Sequence, residues 1–278
     1  MTIEVTLLGT GSPIPSPDRA GPSTLVRAGQ AVLLVDAGRG VVMRLAAVGL
    51  VPTAVSAVLL THLHSDHITD LNDLVTTQWV MAAGPTPLRV YGPPGTQRVV
   101  DAVLEMLALD RGYRHDHHAD LQHPPVVDVT EVAPGDGFDV VDAQVTVHET
   151  DHRPVAPTVG YRIDHAGTVA AIAGDTVPCA GLDELCRGAD LYVQTVIRDD
   201  LVRAIPVARL HDICDYHSTV EQAGRTAATA GVRTLVLTHY VPPLVRGDEH
   251  AWRALAAAHF DGEIVLGDDL MTARAEHP

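Results

Sequence analysis

Lysine is missing from this chain. All 19 of its basic residues are arginines, and 35 acidic residues leave a formal net charge of −16. A balance so acidic argues against the general affinity for nucleic acid that a basic face and counterion release supply, and leaves room only for a local positive funnel. The lysine gap itself reads as compositional bias, and no function follows from it. Aromatic residues are also few, with two Phe and two Trp, so the core must be filled by Val, Leu, Ala and Ile packed by volume. Three cysteines, Cys179, Cys186 and Cys214, include no C-x-x-C pair. That argues against a disulfide framework and a thiolate metal site, and leaves them as buried thiols. No apolar run approaches the length that crosses a membrane. The opening Met1-Thr2-Ile3-Glu4-Val5-Thr6-Leu7-Leu8-Gly9 lacks the basic start and long apolar centre of a signal peptide and reads as a strand. A cytoplasmic protein with no membrane partner is expected.

What is present is enough for a large core: 278 residues with 46% hydrophobic content. Ile3 to Leu8, Ser23 to Val26 and Val32 to Val35 read as strands, followed by a helix through Val41 to Val48. Ile68 to Met81 has helical spacing, Leu88 to Tyr91 is a strand and Gly95 to Leu109 a helix. Strands resume at Val126 to Val132, Val140 to Val147, Val159 to Ile163 and Val169 to Ala173. Helices then flank the short apolar runs Leu191-Tyr192-Val193 and Leu235-Val236-Leu237. Strands, helices, strands, helices fits two sheets packed face to face with helices outside. No linker divides the halves, so residues 1–278 read as one domain.

The most informative segment is Thr61-His62-Leu63-His64-Ser65-Asp66-His67, which follows the apolar run Ala57-Val58-Leu59-Leu60. Alternate residues of an extended segment point the same way, so His62 and His64 can grip one cation together. Asp66 and His67 are adjacent and suit a second cation beside it. Zinc favours nitrogen and oxygen donors of this kind. A polar loop with chance histidines is the plain alternative in a chain of 16 His; four ligand types directly after a strand weigh against it.

This H-x-H-x-D-H run resembles the metallo-β-lactamase superfamily, and the resemblance implies three further ligands. The chain supplies them in order: His152 in Thr150-Asp151-His152-Arg153, Asp175 after Val169 to Ala173, and His239 after Leu235-Val236-Leu237. It implies an α/β fold, the four-layer αβ/βα sandwich, with ligand loops along one edge. It also implies two zinc ions (Zn2+, with Mn2+ as an alternative), one held by His62, His64 and His152 and the other by Asp66, His67 and His239, with Asp175 between them.

Further segments resemble the ribonuclease Z branch, which processes tRNA 3′ ends. They are Leu7-Leu8-Gly9-Thr10-Gly11-Ser12, Val35-Asp36-Ala37-Gly38, Thr158-Val159-Gly160-Tyr161-Arg162, Gly174 to Cys179 with Gly188-Ala189-Asp190-Leu191, and His217-Ser218-Thr219-Val220-Glu221-Gln222-Ala223. Two departures accompany the resemblance. Thr195 stands where the branch carries a Glu that orients the catalytic His. Only residues 153–174 separate His152 from Asp175, leaving room for a hairpin around His165-Ala166-Gly167 and none for the long arm of many tRNA-processing relatives.

The implied enzyme is a di-zinc hydrolase of phosphodiester bonds, on RNA or a small phosphodiester, in which a hydroxide bridging the ions attacks phosphorus. Asp66 would direct this nucleophile, and His217 would assist the departing oxygen. His217 also has a plain reading as neighbour of the cap that Ser218 or Thr219 gives to a helix from Val220 to Ala230. Asp36 is either a partner of a ligand imidazole or an Asp-x-Gly turn. His115, His117, His118 and His123 lie in a stretch read as a solvated loop, or as the lining of a substrate entrance. Arylsulfate, lactone or ester hydrolysis on the same metals is the alternative activity, and a metal-holding binding protein without turnover the alternative of another class. The missing arm and the acidic charge lead to an expectation of poor tRNA cleavage except at low salt. A homodimer is expected from the resemblance.

Overall fold

The computed structural model describes residues 2–276. The first half runs β1 (Thr2–Gly9), β2 (Ser23–Ala28), β3 (Ala31–Val35), α1 (Val41–Ala47), β4 (Ala57–Leu59), α2 (Ser65–Ile68), α3 (Leu71–Met81), β5 (Leu88–Gly92), α4 (Thr96–Met106), α5 (Ala108–His117) and β6 (Val127–Glu131). The second runs β7 (Gly137–Val140), β8 (Ala143–Glu149), β9 (Val159–His165), β10 (Thr168–Ile172), α6 (Ala180–Cys186), β11 (Leu191–Ile197), α7 (Asp199–Arg203), α8 (Ala208–His211), α9 (Val220–Ala230), β12 (Thr234–Val241), α10 (Glu249–Ala257), β13 (Glu263–Leu266) and β14 (Thr272–Glu276).

Two seven-stranded sheets result, in the orders β14-β1-β2-β3-β4-β5-β6 and β13-β12-β11-β10-β9-β8-β7. The last strand crosses back to the first sheet, where β14 pairs antiparallel with β1, so each half is incomplete without the other. Because successive strand residues face opposite ways, neighbours feed different layers. Leu7 and Val193 pack between the sheets, whereas Leu8 joins the layer under α1, α3 and α4, and Tyr192 the layer under α6, α9 and α10. This alternation makes the four-layer αβ/βα sandwich that the sequence leads one to expect. The core is aliphatic, with Trp79, Trp252, Tyr161, Tyr192 and Tyr240 as its few large rings.

Local structure departs from the sequence reading in four respects. The helix expected over Ile68 to Met81 is broken at Thr69 and Asp70, because the Asp70 carboxylate turns to accept the Gly40 amide and its own amide donates to Ala37 O (3.0 Å). The expected strand Val140 to Val147 is a hairpin, β7 and β8, turned at Val141 (φ 57°). The stretch read as a solvated loop is helical as far as His117, and His115 packs on Trp79 with ring centroids 6.0 Å apart. Of the three cysteines, Cys186 is buried but Cys179 and Cys214 are half-buried.

The sheets are sewn together beside the motif. Tyr161 on β9, fully buried, donates its hydroxyl to Leu60 O (2.7 Å), and Val159 N donates to Thr61 O (3.0 Å). Gly174, at φ 67°, completes the seam; a Cβ there would lie 2.7 Å from Thr61 Cβ. The turn after β10 can therefore press against the turn after β4 only with glycine at this position.

Candidate metal centre

Each donor stands where a strand ends. β4 runs into Thr61 and the turn to α2, which carries His62, His64, Asp66 and His67; His152 follows β8, Asp175 follows β10, and His239 lies near the end of β12. One donor atom from each of His62, His64, His152 and Asp175 falls within 4.8 Å of all the others, and Asp66, His67 and His239 form a second such group. His64 Nδ1 is 3.1 Å from His62 Nε2 and 3.2 Å from His152 Nε2. Asp175 Oδ2 faces both groups, at 3.9 Å from His62 Nε2, 3.8 Å from His152 Nε2, 3.5 Å from His67 Nε2 and 3.7 Å from His239 Nε2. In the second group Asp66 Oδ2 is 3.6 Å from His67 Nε2 and 3.3 Å from His239 Nε2.

These spacings fit a cation. A tetrahedral ion with donors about 2.0–2.2 Å away holds them roughly 3.3–3.5 Å apart. His67 Nε2 and Asp175 Oδ1 are buried with no hydrogen-bond partner. Such an orphaned group costs about 1–3 kcal/mol, which a cation between the donors would offset.

Charge differs between the groups. Burial holds His62 well below its ordinary range, lowers His64, and brings His152 down to about 4. These rings are neutral near pH 7, with lone pairs free for a metal. At His67 the effect of burial is outweighed by the carboxylates of Asp175 and Asp36, so its pKa stands well above the usual value. His239 is raised in the same way by Asp175 and Asp66. Burial would raise Asp175 too, but His239 and His67 hold it well below the carboxylate range, and His239 likewise lowers Asp66.

The rings are aimed by what binds their far nitrogens. Asp36, in a left-handed turn (φ 62°), accepts the His67 Nδ1 proton at 2.8 Å and the Thr61 hydroxyl at 2.9 Å; Thr61 Oγ1 lies 3.0 Å from His62 Nδ1. Both readings of Asp36 therefore hold at once: it makes the turn and it steadies the ring of His67. His152 Nδ1 donates to Tyr216 O (2.7 Å).

His217 is buried beside these groups, its Nε2 3.3 Å from Asp175 Oδ2. Its Nδ1 donates to Ile213 O (2.9 Å), a backbone partner where a carboxylate is expected. Thr195 Oγ1 is engaged elsewhere, donating to Gly174 O (3.0 Å). The helix cap is Thr219, which forms a capping box with Gln222, while the Ser218 hydroxyl donates to Thr176 O (2.7 Å). His217 is thus free of capping duty. His115, His117, His118 and His123 join none of the metal-ready groups among the described residues. The carbonyls of Ile213 and Tyr216 have no counterpart in the sequence reading, since a backbone oxygen leaves no residue signature.

Comparison with known proteins bears on the fold and the family. Residues 32–240 match the β-lactamase superfamily domain. A protein of Mycobacterium avium (strain 104) named Ribonuclease Z is 60% identical over 278 residues, covering 99% of both chains. That coverage leaves the relative no room for a long insertion between His152 and Asp175, so the short interval is no mark against the branch. Two solved structures share the fold: the metallo-β-lactamase fold protein YhfI from Bacillus subtilis (TM-score 0.77, 22% identity, covering 99% of this chain and 100% of that one) and the short form of human tRNase Z (TM-score 0.72, 24% identity, with the same coverage). Nothing in these likenesses favours an arylsulfatase or a lactonase. No helix among the described residues is long and apolar enough to cross a membrane.

Proposed function

The chain belongs to the ribonuclease Z family of the β-lactamase superfamily and is a metal-dependent hydrolase of RNA phosphodiester bonds; from that premise we propose how its residues divide the work. His62, His64 and His152 hold one divalent cation, Asp66, His67 and His239 hold a second, and Asp175 serves both. The observation that carries this is the position of Asp175 Oδ2, within 3.9 Å of a ring nitrogen of His62, His67, His152 and His239. The nitrogen-rich donor set favours zinc. Bound there, the cations would acidify water and neutralise charge gathering on the phosphoryl oxygens. Asp66, kept ionised by His239 and His67, would accept a hydrogen bond from the attacking water and direct it. His217, with Nδ1 tied to Ile213 O, is placed in its imidazolium form to hand the Nε2 proton to the departing ribose oxygen and be left as the neutral ring.

The substrate proposed is a precursor RNA with a 3′ extension, tRNA foremost. Arg19, Arg39 and Arg44 line one pocket of about 310 Å3; Arg19 and Arg44 are paired with Asp268 (3.0 Å) and Asp269 (2.9 Å), so Arg39 is the cation proposed to meet a phosphate there. A homodimer is also proposed: Met106, Leu109 and Tyr113 on α4 and α5 are 59%, 72% and 68% exposed, an apolar surface that a second copy would cover. Metal analysis with cleavage of a 3′-extended tRNA tests the reading. Close to two transition-metal ions per chain and cleavage that falls steeply with salt are expected, Arg39→Ala flattening the salt slope by about one. Full activity after exhaustive chelation would refute it.

A further inference from the structure

Nineteen residues, 198–216, leave the second sheet between β11 and His217, forming α7, α8 and a 3-10 turn over Asp212–Asp215. The excursion packs on a small apolar cluster of its own, Ile197, Val202 and Val241 with Leu210, Ile213 and Cys214, separate from the three layers of the sandwich. Its ends are tied down: Ile197 N donates to Ser218 O (3.0 Å) and Arg198 N to Val241 O (2.8 Å). Inside it His211 Nε2 faces Ile205 O at 2.8 Å.

Two hydrogen bonds tie this segment to the candidate metal centre, and both end on backbone oxygens. Ile213 O accepts from His217 Nδ1 and Tyr216 O accepts from His152 Nδ1. The Tyr216 ring sits against both imidazoles, with centroids 5.0 Å from His152 and 4.8 Å from His217. A carbonyl only accepts, so each Nδ1 must carry its proton and each Nε2 faces the centre. Neither ring has a carboxylate partner at Nδ1.

We propose that the 198–216 excursion is a positioning device. Through Ile213 and Tyr216 it fixes the Nδ1 proton and the aim of His152 and His217 together, so that packing in its small cluster sets the grip of His152 on one cation and the placing of the His217 Nε2 that carries the second proton when the ring is charged. His67 does not depend on it, because Asp36 aims that ring from the first sheet; His239 is coupled to it only indirectly, through Val241 two residues on. The inference rests on the proposed metal assignment for its chemical meaning, while its first readout, the ring tautomers, does not.

The test uses the zinc-loaded full chain with 15N-labelled histidine. In the native protein His152 and His217 should each show a slowly exchanging Nδ1 proton. Ile213→Ala, and Val202→Ala as a milder second variant in case the first fails to fold, should shift both signals or speed their exchange. Chelator competition should then show the zinc held by His152 bound about 10–100-fold more weakly, the usual effect of losing an outer partner, and the other affected less. Ile213→Val and the exposed Arg209→Ala should behave as native. Three results would overturn the inference: signals unmoved in both loosened variants, signals moved with both affinities kept, or both zinc ions weakened alike. A native chain that binds no zinc would instead sink the metal assignment.

Discussion

The two halves of the metal centre are aimed by different means. On the first sheet, side chains do it: one carboxylate, Asp36, holds His67 directly and reaches His62 through the Thr61 hydroxyl, all anchored at the ends of β3 and β4 in the main core. On the second sheet the backbone does it, through Ile213 O and Tyr216 O of an excursion with only a satellite cluster beneath it. A side-chain orienter can be removed by one substitution. A carbonyl can be displaced only by moving the chain, so its reliability is that of the local packing.

The hardest break in this comparison is at Asp175, which both halves share. Asp175→Ala should lose both ions and lower RNA cleavage by more than the ~100-fold that removal of an outer partner brings, as metal analysis beside a cleavage assay would show. Next comes His217→Ala. It should keep its metals and lose ~10²–10⁴ in kcat on RNA, but far less on a nitrophenyl phosphodiester, whose leaving group needs little proton donation. Equal losses on both substrates would reduce His217 to a structural neighbour.

Asp36→Asn removes the side-chain orienter and should weaken the cation held by Asp66, His67 and His239 about 10–100-fold, and the one held by His62 less, leaving the His152 proton signal in place. The smallest effect is on stability in the metal-free chain. His152 has a folded pKa of about 4 against roughly 6.5 unfolded, so between those values the unfolded chain binds more protons. Stability is complete above about pH 6.5 and falls as pH drops toward 4. His152→Asn should lack this part of the decline, measurable as a difference in urea midpoints.

The same contrast explains what the sequence makes legible. His62, His64, Asp66 and His67 sit within one turn and can be read from residue types, as can the layered fold, whereas His152, Asp175 and His239 come from the family resemblance, supported at Asp175 and His239 by the recurring strand-then-ligand spacing. The orienters divide. Asp36 is visible as Asp-x-Gly, though only the structure shows the turn and the hydrogen bond to be compatible. Ile213 and Tyr216 are invisible because their side chains have no part in the hydrogen bonds. The missed boundaries have a similar cause. Helical spacing runs straight through Thr69 and Asp70, and only the distant Gly40 amide draws Asp70 out of the helix. Val141 turns a hairpin in a left-handed conformation that valine rarely adopts.

The crossing of donors between sheets has a thermodynamic side. His62 and His64 hang from the first sheet, and His152 and Asp175 from the second; Asp66 and His67 face His239 across the same seam. A cation gripped by either group cross-links segments far apart in the chain, and its binding free energy becomes folding free energy. At a hundred times its Kd, each ion adds about 2.7 kcal/mol. The unfolding temperature should therefore report the free cation concentration, with the protein behaving as a two-sheet clasp whose tightness the surrounding metal supply sets.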